Sequence, residues 1–200
     1  MHPRSLIALV MASVFALGAV ILTATLADDN DGGNPPSAEP AGSLLPDGVR
    51  APGFSLTDER GERITMREFR GSPAIVTFLY TNCEETCPPA AQQVKGALNE
   101  LGRDVPAIAI AVDPPNDTEA SARAFLSEAR MLGRMRFVLG GREQLEPVWR
   151  GFAIQPQTDD AEHQARIVLV DKRGFQRIGF PLSQATPERI AHDVELLASE

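Results

Sequence analysis

The chain has 200 residues, 27 acidic and 19 basic, for a formal net charge of −8, with two cysteines and three histidines. An acidic chain lacks the basic footprint that nucleic-acid binding requires, and two cysteines make neither a disulfide scaffold nor a four-cysteine zinc site. Hydrophobic residues at 43% and charged residues at 23% suit a folded chain, and this length predicts one domain with its own core.

Residues 1–27 carry one base, Arg4, and no acid, and Leu6 to Ala27 is free of charge. As a helix this stretch would reach about 33 Å, enough for a hydrocarbon core of roughly 30 Å. It reads as an N-terminal membrane anchor or signal, with Thr25-Leu26-Ala27 as a weak cleavage site. Arg4 before the span and Asp28, Asp29 and Asp31 after it put the N-terminus inside. The remainder then lies on the extracytoplasmic side. Residues 28–48 hold eight glycines and prolines, five acids and no base, and read as a disordered tether.

Residues 49–200 are the expected folded domain. Phe54 to Leu56 and Ile64 suggest a hairpin with its turn near Gly61. Residues 74–80 form a continuous apolar, β-branched run, predicted as a buried strand. Pro88 and Pro89 open a helix that closes near Gly102. A second buried strand is expected over 105–112. A helix over 117–132 would bury Ala120, Ala124, Phe125 and Leu132 on one face, with Asn116 or Asp117 as its cap. A short strand at 136–139 and a short helix at 142–151 follow. Residues 166–170 and 175–180 form a hairpin across Asp171 to Gly174, and a helix over 187–198 ends the chain. Strands alternating with helices, then a hairpin and a helix, predict an α/β sandwich on a mixed central sheet flanked by helices.

The chemistry concentrates in Tyr80-Thr-Asn-Cys83-Glu-Glu-Thr-Cys87-Pro88-Pro89, where a strand gives way to a helix. Open α/β sheets place ligands at such strand ends. The unpaired N–H groups of a helix start favour thiolate over thiol, while Glu84 and Glu85 oppose it. Two cysteines four apart can close a disulfide, structural or redox-active, or converge on one metal ion. Among the histidines, His2 precedes the anchor and His192 reads as a solvated residue of the last helix. His163 stands in a loop that enters the strand at Ile167. Two thiolates with one imidazole suit copper, Cu(I) above all, whereas three ligands leave a structural zinc site incomplete. Asp113 ends the second strand on the edge that carries the cysteines, where it either orients a ligand, tunes a cysteine or merely shapes a turn.

Residues 49–198 resemble the Sco/SenC proteins, thioredoxin-like copper-binding assembly factors for cytochrome c oxidase. The resemblance rests on Tyr80-Thr with Cys83, Cys87 and Pro88, on Asp113-Pro with Asp117-Thr118, and on His163 before Ile167. It implies a thioredoxin-like fold, copper held as Cu(I) or Cu(II) by Cys83, Cys87 and His163, and Asp113 as a supporting residue. It also implies delivery of copper to an apo acceptor, the dinuclear copper site of a cytochrome c oxidase subunit. The alternative is a thiol–disulfide oxidoreductase in which Cys83 and Cys87 are the redox pair and reduce acceptor cysteines. By the same kind of resemblance, a thiol peroxidase would want Pro and Thr where Val76 and Tyr80 stand. The chain departs from the family pattern at Glu162 and Gln164 around the histidine, and in lacking a proline between the cysteines.

Overall fold

The computed structural model describes residues 39–158 and 165–200. The expected anchor or signal at 1–27, most of the expected tether and His163 lie outside the described residues. No helix among the described residues is long and apolar enough to cross a membrane.

Eight strands and four α-helices follow one another along the described chain. The strands are β1 (Ser43–Leu44), β2 (Ser55–Thr57), β3 (Arg63–Thr65), β4 (Ala74–Leu79), β5 (Ala107–Ala111), β6 (Arg136–Val138), β7 (Arg166–Val170) and β8 (Gln176–Pro181). The helices are α1 (Cys87–Leu101), α2 (Glu119–Glu128), α3 (Arg142–Gly151) and α4 (Pro187–Ser199). Six strands form one sheet in the order β1-β8-β7-β4-β5-β6. β4, β5 and β6 run parallel, as βαβ crossovers require, while β7 and β8 run antiparallel as a hairpin. This is the mixed-sheet, thioredoxin-like sandwich expected from the sequence.

The buried strands explain the continuous apolar runs. Every residue of β4 and β5 is buried, because helices cover the sheet. α1 presents Ala90, Ala91, Val94, Ala97 and Leu98 to the core and stops where Gly102 adopts a left-handed φ of 58°. β2 and β3 pair as the expected hairpin, turning at Gly61 with φ 76°.

Four expectations are corrected. The helix predicted over 117–132 ends at Glu128, where Arg130 turns left-handed at φ 56°. Its buried face is Ala122, Phe125 and Leu126, continued by Ala129; Ala120 and Ala124 are exposed, and Leu132 is 50% exposed. Alanines on both sides of the helix left its phase to Phe125 and Leu126, and only the second phase puts both inside. The helix cap is Thr118, whose side chain accepts from Ser121 N, and not Asn116 or Asp117. The third correction concerns the end of the tether. β1 pairs with β8 at Ser43↔Gly179 and Leu44↔Ile178, so the sheet begins before residue 49.

The C-terminal helix secures that early segment. Asp193, fully buried, accepts the backbone N–H of Ala41 at 2.7 Å and of Gly42 at 2.8 Å. Its neighbour His192 is half-buried, with Nδ1 2.8 Å from Asp193 Oδ1, and is not the solvated residue expected. Helices α1 and α4 pack against each other, and Gly96 faces Pro187 at their contact.

Candidate metal and redox site

β4 ends at Leu79 beside the end of β5 at Ala111, since the two strands are parallel and in that register. Both following loops therefore leave from one edge of the sheet. The first loop turns at Tyr80, whose carbonyl accepts from Cys83 N at 3.4 Å, and delivers Cys87 as the first residue of α1. Thr86 is the residue before the helix; its backbone is already close to helical, which bends Cys83 back over the helix start.

The two cysteines meet there, both as free thiols. The backbone N–H of Cys87 donates to Cys83 Sγ at 3.0 Å, and the Thr86 hydroxyl lies 3.3 Å from the same sulfur. Cys83 is 6% exposed and Cys87 fully buried. The two thiols are driven apart. The Cys87 thiol, donating to Cys83, holds Cys83 well below the ordinary thiol range, against its desolvation. The Thr86 hydroxyl and the Cys87 N–H add to that stabilisation. Cys87 moves up, because it is the donor and because burial disfavours its anion. The pair is thus polarised, with the anion favoured at Cys83 and the proton at Cys87.

The second loop is braced to the first by a carboxylate that the sequence offered only as a helix cap. Asp117, 7% exposed, accepts Thr81 N at 2.7 Å and Asp113 N at 3.0 Å. Burial pushes its carboxyl up to about 6, against the pull of those two N–H bonds. Asp113 has a lesser part. Its side chain accepts from Asn116 Nδ2 at 2.8 Å, and no hydrogen bond joins it to either cysteine among the described residues. Thr86 and Asp117 were both missed as site residues. Nothing in local spacing separates a brace from a cap, since Asn, Asp and Thr suit both.

The third edge element is the entrance to β7. The antiparallel register pairs Thr77 with Ile167, and Thr77 Oγ1 donates to Arg166 O at 3.1 Å. Ala165 therefore lies toward the end of β4 from which the cysteine loop departs. On the other flank, Gln157 N donates to Val112 O at 3.0 Å, one residue before Asp113. Among the described residues no cluster of three or more His, Cys, Asp and Glu is able to hold a metal ion. Two sulfurs on one loop are a soft donor pair short of one ligand.

The sequence model of the SCO1/SenC family matches residues 46–199. Protein SenC of Rhodobacter capsulatus is 30% identical over 154 residues, covering 70% of this chain and 67% of SenC. Protein sco1 of Schizosaccharomyces pombe is 26% identical over 137 residues, 60% of this chain. The chain spans about half, 51%, of that relative's length. Among solved structures, ScoI of Bradyrhizobium japonicum with copper bound superposes with a TM-score of 0.63 at 28% identity, covering 74% of this chain and 99% of that one.

Proposed function

We propose, for a chain that belongs to the SCO1/SenC family, that it is a copper metallochaperone whose ligands are Cys83, Cys87 and His163. The cargo suits the donors. Thiolates are soft ligands and select Cu(I), and an imidazole completes a three-coordinate site. Such a site keeps a position open for an incoming thiolate, which transfer by ligand exchange needs. The receiving group in this reading is the apo dinuclear copper site of a cytochrome c oxidase subunit. ScoI of Bradyrhizobium japonicum, solved with copper bound, supports the metal.

The observation that carries the reading is the shared edge. Val112, which holds Gln157, and Ala165, which leads into β7, flank the end of β4 that launches the cysteines. His163 precedes Ala165 by two residues in the sequence, which supports it as the third ligand in this reading. Asp113 in this reading supports the loop through its backbone bond to Asp117.

A second reading is favoured by the split thiols. Cys83 as thiolate attacks an acceptor disulfide, forming a mixed disulfide and releasing one acceptor thiolate. Cys87 then loses its proton and attacks Cys83. The acceptor leaves with two thiols, and Cys83 and Cys87 are left as a disulfide. Reduction of an acceptor's cysteines would prepare them for metal, so both readings serve one task.

Residues 1–27 fit an anchor that holds the domain at the outer face of the cytoplasmic membrane, and the Gly/Pro-rich acidic stretch after them fits a leash. The deciding experiment is metal analysis of the reduced, copper-loaded chain and its His163→Ala variant. One copper per chain and much weaker binding in the variant are expected. Equal stoichiometry and affinity in both would remove His163 from the site.

A further inference from the structure

Beside Cys83 a groove of about 560 Å³ opens between the start of α1 and the end of α2. Its size falls within the roughly 300–1,000 Å³ of sites that enclose a ligand. Cys83 is part of its lining, Pro88, Phe125 and Ala129 give it apolar walls, and Glu84 and Glu128 are its acidic residues. Gln92 closes the gap between the helices by donating from Nε2 to Ala129 O at 3.2 Å. Neither glutamate is in an ion pair among the described residues, and Glu85, also exposed, adds to the same field. Lys95 reaches Gln92 Oε1 at 3.4 Å but does not line the groove.

We propose that this groove seats the acceptor polypeptide: a segment that brings its cysteine to Cys83 and carries a lysine or arginine next to it. This rests on the reading of Cys83 as the group presented to an acceptor, by copper exchange or by disulfide exchange. Three features select that occupant. The cysteine in the lining calls for a partner thiol or disulfide. The apolar walls bury the stem of a long side chain. The two unpaired carboxylates favour a cation at its tip and repel an acidic segment, so charge sets the choice of partner and the encounter rate. Glu128 is the cleaner determinant, because it lies on α2 and is not part of the cysteine loop.

The test uses the reduced full chain with Cys87→Ser, which stops at the mixed disulfide. Two short peptides each carry a cysteine joined by a disulfide to thionitrobenzoate, one flanked by lysines and one by glutamates. The Cys83 thiolate attacks the peptide sulfur, the bond to thionitrobenzoate breaks, and the coloured thiolate leaves. A small neutral disulfide measured alongside normalises for thiol reactivity. At low ionic strength the lysine peptide is expected to react ~10-fold faster than the glutamate peptide, with the ratio falling toward one in salt. Glu128→Lys should cut the ratio several-fold, and Glu128→Gln by less. A ratio near one in the parent chain overturns the proposal, and so does a ratio that Glu128→Lys leaves unchanged. Copper loading reports separately on the ligands: Glu128→Lys should load as the parent does, whatever His163→Ala shows.

Discussion

The backbone N–H of Cys87 points at the sulfur of Cys83 from 3.0 Å. A helix that begins at Cys87 thus aims its first N–H, and the positive end of its dipole, at the other cysteine, while Pro88 and Pro89 have no N–H to offer. Two cysteines of like chemistry become unlike partners, because one lies before the helix start and the other inside it.

Selective alkylation should follow. Cys83 is held below the ordinary thiol range by the Cys87 thiol, and Cys87 lies above it. At mildly acidic pH the reduced chain should take iodoacetamide at Cys83 at least ~10-fold faster than at Cys87, read by peptide mapping. Cys87→Ala removes the main donor and should move the Cys83 titration upward, followed by thiolate absorbance. Cys87→Ser keeps a hydroxyl donor and should move it less. The linkage has opposite signs at the two sites. The Cys83 shift favours folding above the ordinary thiol value and fades as the pH falls; the Cys87 shift favours it below that value and fades as the pH rises.

Asp117 predicts a second pH effect. Its carboxyl is raised to about 6 by burial, above an unfolded value near 3.9. A raised carboxyl contributes stability that is full below the unfolded value and lost as the pH rises through the folded one. Asp117→Asn removes the titration and sets an amide NH2 against one of the two backbone N–H groups. It should cost ~1–3 kcal/mol in urea unfolding. The parent's advantage over the variant should shrink between pH ~4 and ~6. An advantage that grows over that range would contradict the burial of this carboxyl.

The fold was legible because its strands are buried on both faces. Runs such as Ala74–Leu79 and Ala107–Ala111 admit no other placement once helices alternate with them. The cysteine loop was legible for a similar reason, since Pro88 and Pro89 fix where the helix starts. What failed were features decided by partners far along the chain. Asp117 looks like a cap until Thr81 N, 36 residues away, is seen on its oxygen. His192 looks solvated until the segment at Ala41 is seen against Asp193. The exposed face of α2 was misplaced because alanine fits either side of a helix, and only packing decides.

Gly96 offers a change of sign. A glycine inside an exposed helix normally costs about 1 kcal/mol relative to alanine, so Gly→Ala stabilises. Here an added Cβ would lie 2.5 Å from Pro187 Cγ and 2.8 Å from Pro187 Cβ. Pro187 opens α4, and its ring cannot swing away as a flexible side chain would. Gly96→Ala is therefore expected to destabilise by ~1–3 kcal/mol through forced separation of α1 and α4. The fluorescence of Trp149, the one tryptophan, reports unfolding because its indole is buried with its N–H on Ala111 O at 2.8 Å. A stabilised variant would show that the two helices part without strain.

The start of the domain is the last point open to measurement. Sequence composition puts the boundary at residue 49, yet Asp193 buries its carboxylate against the N–H groups of Ala41 and Gly42. Arg189 adds a bond to Ala41 O, and Gly42 packs where a Cβ would strike Ile178 Cγ2 at 2.5 Å. Removing residues before 49 would strip both N–H donors from a buried carboxylate and uncover the β8 edge. Unfolding in urea should find residues 49–200 less stable than residues 39–200 by ~2 kcal/mol or more. The difference belongs to Asp193 only if it depends on that side chain. Asp193→Asn should therefore weaken the longer chain more than the shorter one, so that the gap between the two lengths narrows. Equal losses in both lengths would assign the carboxylate to α4 itself, and leave the early segment held by β1 pairing alone.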